Sequence, residues 1–131
     1  MRVRRAVIDA IVEHARRDRP LECCGLLIGR DDEVIESRTA RNARASAVLY
    51  LVDPRDHFEA IRDARAEGLA VVGAYHSHPR SPAEPSETDV HEANDPDFVH
   101  MIVSLAGAAP QVAAFRIGDG RAIRLSLAIV D

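Results

Sequence analysis

His76 and His78 stand two residues apart in "YHSHP", and Ser86 and Asp89 follow shortly after in "PSETD". Imidazole nitrogens and a carboxylate oxygen are the donors that divalent zinc takes. On a strand, side chains repeat with a period of two, so both imidazoles project from one face, about 7 Å apart at Cβ. Two such ligands can close onto one ion at nitrogen–metal distances near roughly 2.0–2.1 Å. By itself the pair reads first as polarity at the exit of a strand. "SETD" likewise reads as an S-x-x-D capping box, with Ser86 opening a helix and Asp89 reaching back to its amide. The loop between them carries Pro82 and Pro85, which stiffen the return and hold the helix start near the strand end. Asp89 on the first helical turn could then be a third ligand. Two neutral imidazoles, one carboxylate and a water make an open tetrahedral site of the catalytic kind. Glu84, in the loop, reads as solvent-facing. Glu22 opens the apolar run "CCGLLIG", where a carboxylate is costly unless paired or working. From periodicity alone it is only a candidate base.

The elements that must position these groups follow from apolar spacing. Val3, Ala6, Val7, Ala10, Ile11 and His14 fall at helical intervals and predict a helix over about residues 4–18, closed before Pro20. "LECCGLLIGR" reads as a buried strand, paired as a hairpin with "EVIESRTA" across "RDDE". "AVLYLVD" is rich in β-formers and predicts another strand. Asp53 is placed to cap a second helix, "PRDHFEAIRDARAEG", with Phe58, Ile61 and Ala64 turned inward and Gly68 as its stop. "LAVVGAYHSH" predicts a central strand that Pro79 ends, leaving the two histidines at a sheet edge. "SETDVHEAND" predicts a short helix ended by Pro96. "FVHMIVSLA", "QVAAFRIG" and "AIRLSLAIV" predict three closing strands, with turns at "GAAP" and "DG". The sum is a mixed β-sheet flanked by helices, of α/β or α+β class.

The 131 residues, 47% hydrophobic and 29% charged, predict one globular domain over residues 1–131. A formal charge of -4 offers no basic face for nucleic acid. The early arginines (Arg2, Arg4, Arg5, Arg16, Arg17, Arg19) are interrupted by Asp9, Glu13 and Asp18, as on a solvated helix. No apolar run approaches the ~20 residues of a membrane span, and the charged N-terminus has no signal-peptide core. Cys23 and Cys24 are adjacent, build no disulfide framework, and fit packing in a reducing cytoplasm. "VHEAND" starts like the H-E-x-x-H of other zinc peptidases, but Asp95 stands where the second histidine belongs. The deaminase signature H-x-E with P-C-x-x-C is also missing. His14, His57, His91 and His100 have no partner at ligand spacing and read as surface or packing residues.

Taken in order, Glu22, then His76-Ser77-His78-Pro79, then Ser86-x-x-Asp89 resembles the JAMM (MPN+) family of zinc-dependent peptidases. The family spacing of ten residues between the second histidine and the aspartate is matched by residues 79–88. "PLECCGLLIG" is similar to that family's Glu-bearing strand, and the likeness runs over nearly the whole chain. It implies a JAMM/MPN-like fold with cytidine-deaminase-like layering. The implied ligands of Zn2+ are His76, His78 and Asp89, with Glu22 as general acid and base and Ser86 donating to the oxyanion. The implied reaction is hydrolysis after the C-terminal Gly-Gly of a ubiquitin-like or sulfur-carrier protein. The short loops favour a prokaryotic carrier over ubiquitin chains. Two rival readings are a non-catalytic MPN scaffold, which loses the ligands, and a RadC-like DNA-associated protein, which the acidic balance disfavours.

Overall fold

A computed structural model describes residues 1–131. Its frame is an eight-stranded mixed sheet of order β7-β6-β5-β4-β2-β3-β1-β8. The elements in chain order are β1 (Arg2–Arg4), α1 (Arg5–Asp18), β2 (Cys24–Arg30), β3 (Glu33–Ala40), α2 (Pro54–Ala66), β4 (Ala70–His78), α3 (Glu87–Glu92), β5 (Val99–Ser104), β6 (Gln111–Gly118), β7 (Arg121–Leu125) and β8 (Ala128–Val130). β4 lies centrally, antiparallel to β2 and parallel to β5.

Strand alternation divides the core between the two faces of this sheet. On one face, Val7, Ile11 and Ala15 of α1 pack with Leu27, Tyr75, Met101 and Val103. On the other, Ala60 and Ala64 of α2 pack on Leu26, Ile28 and Ala74, and Val90 beside Ala83, Ile102 and Phe115 continues the layer under α3. Within β4 the odd residues Tyr75 and Ser77 therefore face α1. The even residues Ala74, His76 and His78 face α2 and α3. The ring of Tyr75 lies across β2 where Gly25 has no side chain, and a Cβ there would collide with it.

Most of the expected elements are present. The β2–β3 hairpin turns on Asp31 and Asp32, both at positive φ (52° and 62°), the geometry of a two-residue hairpin loop. Asp53 caps α2 by accepting from the Arg55 amide at 2.8 Å, and Gly68 leaves the helix at φ 73°. Three expectations are corrected. "AVLYLVD" is not a strand: apart from one isolated bridge between Asn42 and Val52, residues 41–53 form a strap. β3, the strand it follows, already has β2 and β1 as neighbours and offers it no free edge. Asn42 shapes the strap instead, its Oδ1 accepting from the amides of Arg44 and Leu51 and its Nδ2 donating to Leu49 O. Secondly, Phe58 (69% exposed) and Ile61 (39%) face outward on α2, and the buried stripe is Ala60 and Ala64. Small residues let the helix seat closely on the sheet. Thirdly, "AIRLSLAIV" is two strands: β7 extends one edge, whereas β8 crosses to the other and pairs with β1, a short strand not anticipated before α1.

Candidate metal centre

β4 and β5 are parallel and end together, and the loop 79–86 leaves from that end into α3. The crevice outside such carboxyl ends is where open sheets place ligands. His76 and His78 thus sit at the end of a central strand, as the sequence predicts. β2 runs the other way, with Cys24 opposite His76. Ser77 N donates to Cys23 O at 3.1 Å and Ser77 Oγ accepts from Cys23 N at 2.8 Å. Continuing this register sets Glu22 opposite His78, on the histidines' side of the sheet.

Three donor atoms form a near-equilateral triangle. His76 Nε2 is 3.1 Å from His78 Nε2 and 3.1 Å from Asp89 Oδ2, and His78 Nε2 is 3.3 Å from the same oxygen. Ligands at roughly 2.0–2.1 Å in a tetrahedral array stand about 3.3–3.4 Å apart, so the triangle has the size of one face of such a site. His78 Nδ1 donates to Pro82 O at 2.8 Å. A carbonyl only accepts, so this bond fixes the proton on Nδ1 and leaves the Nε2 lone pair facing the triangle. The donor types and their spacing fit a divalent cation.

Asp89 also completes the capping box. Its Oδ2 accepts from Ser86 N at 2.8 Å, and Ser86 Oγ accepts from Asp89 N at 3.0 Å. The capping box of "SETD" is present, and the same Oδ2 that accepts from Ser86 N faces both histidine nitrogens, so one rotamer is compatible with both readings. Glu22 completes the set. Its carboxyl comes within 4.8 Å of the ligand nitrogens of His76 and His78, a buried group of three that could itself hold a metal ion.

Burial and polar contacts together set the protonation of these groups. Glu22 is 5% exposed, and burial pushes its carboxyl up to about 7 against the attraction of His78 and with the repulsion of Asp89. Burial would also raise Asp89, but its polar contacts with His76 and His78 and the bond from the Ser86 amide outweigh it and hold this carboxyl far below the usual range. His76 is fully buried and pushed toward its neutral form. Burial drives Cys23 up to about 11 and Cys24 up to about 12, so both stay as inert thiols.

Glu22, His76, His78, Ser86 and Asp89 therefore come together, and Glu84 is exposed in the loop as expected. Two further residues escaped sequence reasoning. Tyr50, in the strap, stacks on His76 with ring centroids 4.1 Å apart and planes at 14°. Asn42 Nδ2 donates to Glu22 O at 3.1 Å, while Glu22 N donates to Ser46 O at 2.7 Å, so the strap holds Glu22 by both backbone groups. The only available signal was a lone aromatic in a segment that read as a strand.

Residues 4–118 match a family described as prokaryotic homologs of the JAB domain. The chain is 32% identical over 132 residues to the CysO-cysteine peptidase of Mycobacterium tuberculosis, covering 98% of this chain and 90% of that one. It is 37% identical over 106 residues to a desampylase of Haloferax volcanii, covering 76% of each. A solution structure of a Desulfitobacterium hafniense protein superposes with a TM-score of 0.91 at 31% identity, covering 100% of this chain and 94% of that one.

Proposed function

The chain belongs to the prokaryotic JAB family and is a JAMM-type peptidase, and on that premise we propose that it hydrolyses the amide bond after the C-terminal Gly-Gly of a ubiquitin-like or sulfur-carrier protein. The observation that carries this reading is the donor triangle at the end of β4 with the Glu22 carboxyl beside it. The metal we assign is Zn2+, held by His76, His78 and Asp89. It would supply a Lewis acid for the scissile carbonyl and acidify a water. Asp89 is preferred over Glu22 as the third ligand because its Oδ2 closes the triangle, 3.1 Å from His76 Nε2 and 3.3 Å from His78 Nε2.

Glu22 is the group that moves protons. Its carboxylate accepts one from the water that attacks the carbonyl carbon. As the C–N bond breaks, it delivers that proton to the leaving amine, so it ends as it began. Its place beside the two histidines, in a setting where burial favours the protonated carboxyl, suits a group that carries a proton in both directions. Ser86 Oγ accepts from the Asp89 amide, which leaves its own O–H free to donate to the carbonyl oxygen as negative charge develops. His78 Nδ1–H on Pro82 O and the Tyr50 ring on His76 keep both imidazoles aimed. The products are a carrier ending in Gly-Gly carboxylate and a free amine. A cytoplasmic setting suits buried free thiols, and no helix is long and apolar enough to cross a membrane.

The test is a fusion in which a carrier's Gly-Gly precedes a second polypeptide. Cleavage at that junction should stop with a chelator and return with zinc. Glu22→Gln should retain one metal per chain while turnover falls by roughly 10²–10⁴-fold. Full turnover in that variant removes Glu22 from the mechanism.

A further inference from the structure

A cavity of about 210 Å³ opens between the strap, α2, α3 and β5. Leu26 and Ala74 form its floor, with Phe98, Leu51 and Val52 around it, and Asp89 is also in its lining. The Tyr50 ring belongs to both places, lining the cavity and stacking on His76. The cavity therefore adjoins the metal centre through Tyr50 and Asp89. Glu22 does not line it, and the cluster that Glu22 forms with the two histidines does not include Asp89. Glu22 and Asp89 thus mark two approaches to the histidine pair, and the cavity opens at the Asp89 one.

That arrangement orders the substrate. The leaving nitrogen must meet the Glu22 carboxyl to be protonated, so the leaving chain occupies the Glu22 side. The acyl chain then runs toward Asp89 and the cavity. Two glycines have no side chain to place there. The first side chain that can enter is the third residue before the cleaved bond, about 7 Å upstream in an extended chain. The volume is below that of pockets for whole small molecules, roughly 300–1,000 Å³, and suits one side chain. The charged groups in the lining are also spoken for: Asp89 belongs to the centre, and Glu92 is held by Arg44 through contacts of 2.8 and 3.2 Å. Two imidazoles, His57 and His100, line the space as well, His100 pushed toward its neutral form by burial, and the remaining seven lining residues are apolar.

We infer that this cavity is a specificity pocket for an aliphatic side chain at the third position before the cleaved bond, so that the carrier's tail is selected by an apolar residue preceding Gly-Gly. The inference rests on the peptidase reading above and adds the direction in which the substrate lies. It is tested with zinc-loaded full-length protein and carrier fusions that differ at that residue (leucine, alanine or aspartate), with a parallel series varied at the first residue after the bond. Leucine should exceed alanine by roughly tenfold or more in kcat/KM, the scale of discrimination in apolar pockets, and aspartate should be poorest. Ala93→Leu, at the half-buried end of α3, and Ala74→Leu, in the floor, should bring the leucine-to-alanine ratio close to one. Calorimetric titration of Glu22→Gln with tail peptides ending in Gly-Gly carboxylate reads the same preference without turnover. Fusions that are cut with no dependence on the third residue overturn the pocket and leave the peptidase reading standing. Loss of selectivity after the bond, instead of before it, overturns the direction. Fusions left uncut, with peptides still ranked leucine over alanine, keep the pocket and count against the reaction.

Discussion

A buried carboxyl that works for the reaction should cost the metal-free fold stability, and Glu22→Gln measures how much. Glu22 is 5% exposed and its carboxyl is raised from 4.5 to about 7, first through burial. Below pH 4.5 it is protonated both folded and unfolded, and the difference between wild type and variant is constant. Between pH 4.5 and 7 the unfolded chain ionises while the folded chain keeps its proton, so the native state binds more protons and stability falls as pH rises. Above 7 the loss is complete. A rise of about 2.5 pKa units corresponds to roughly 3 kcal/mol, and 1–3 kcal/mol is the order to expect. The glutamine amide has the same shape and does not ionise. Urea denaturation of both proteins, stripped of metal by a chelator, should therefore diverge with pH, the variant gaining on wild type from pH 4.5 to 7 and then holding its lead. Parallel curves over that range, or a wild type that gains on the variant, would refute the reasoning. A group kept at a local cost in stability is what a functional carboxyl in an apolar setting implies.

Tyr50→Ala should weaken zinc affinity by roughly 2–13-fold in chelator competition, the equivalent of a ring stack of about 0.5–1.5 kcal/mol, while Tyr50→Phe stays close to wild type. Equal losses in both variants would assign the effect to the hydroxyl and not the stack. Asp89→Asn keeps the shape of the cap but not its charge, so one bound metal per chain should be lost with a drop in stability no larger than the ~0.5–2 kcal/mol of an N-cap. Metal analysis together with thermal melting of the apo proteins separates the two roles. Gly25→Ala drives a methyl into the Tyr75 ring and should cost roughly 1–3 kcal/mol in urea denaturation, an unchanged midpoint being the contrary result. Phe58→Ser, at 69% exposure, should move stability by less than about 0.5 kcal/mol in the same measurement, although the residue is among the largest apolar ones in α2.

The features legible in the sequence are those whose geometry is set within a few residues. A period of two is enough to point His76 and His78 the same way, and S-x-x-D is enough to fold Asp89 back on Ser86, because neighbouring backbone torsions impose both. The Asp53 cap and the paired aspartates of the β2–β3 turn are local in the same sense. What only the tertiary structure decided depends on hydrogen bonds between distant segments. Glu22 reaches the site through the pairing of Cys24 with His76, a register that no periodicity in either strand contains. The strap shows the other side of this: residues 47–53 have strand composition, but a strand needs a free edge, and β3 has none left to give. Those residues lie over the site instead, where Tyr50 meets His76. The outward turn of Phe58 and Ile61 has the same origin, since the sheet beneath α2 admits the alanine stripe and leaves the larger side chains to solvent. The donors were written in the chain, and their convergence on one point came from the sheet.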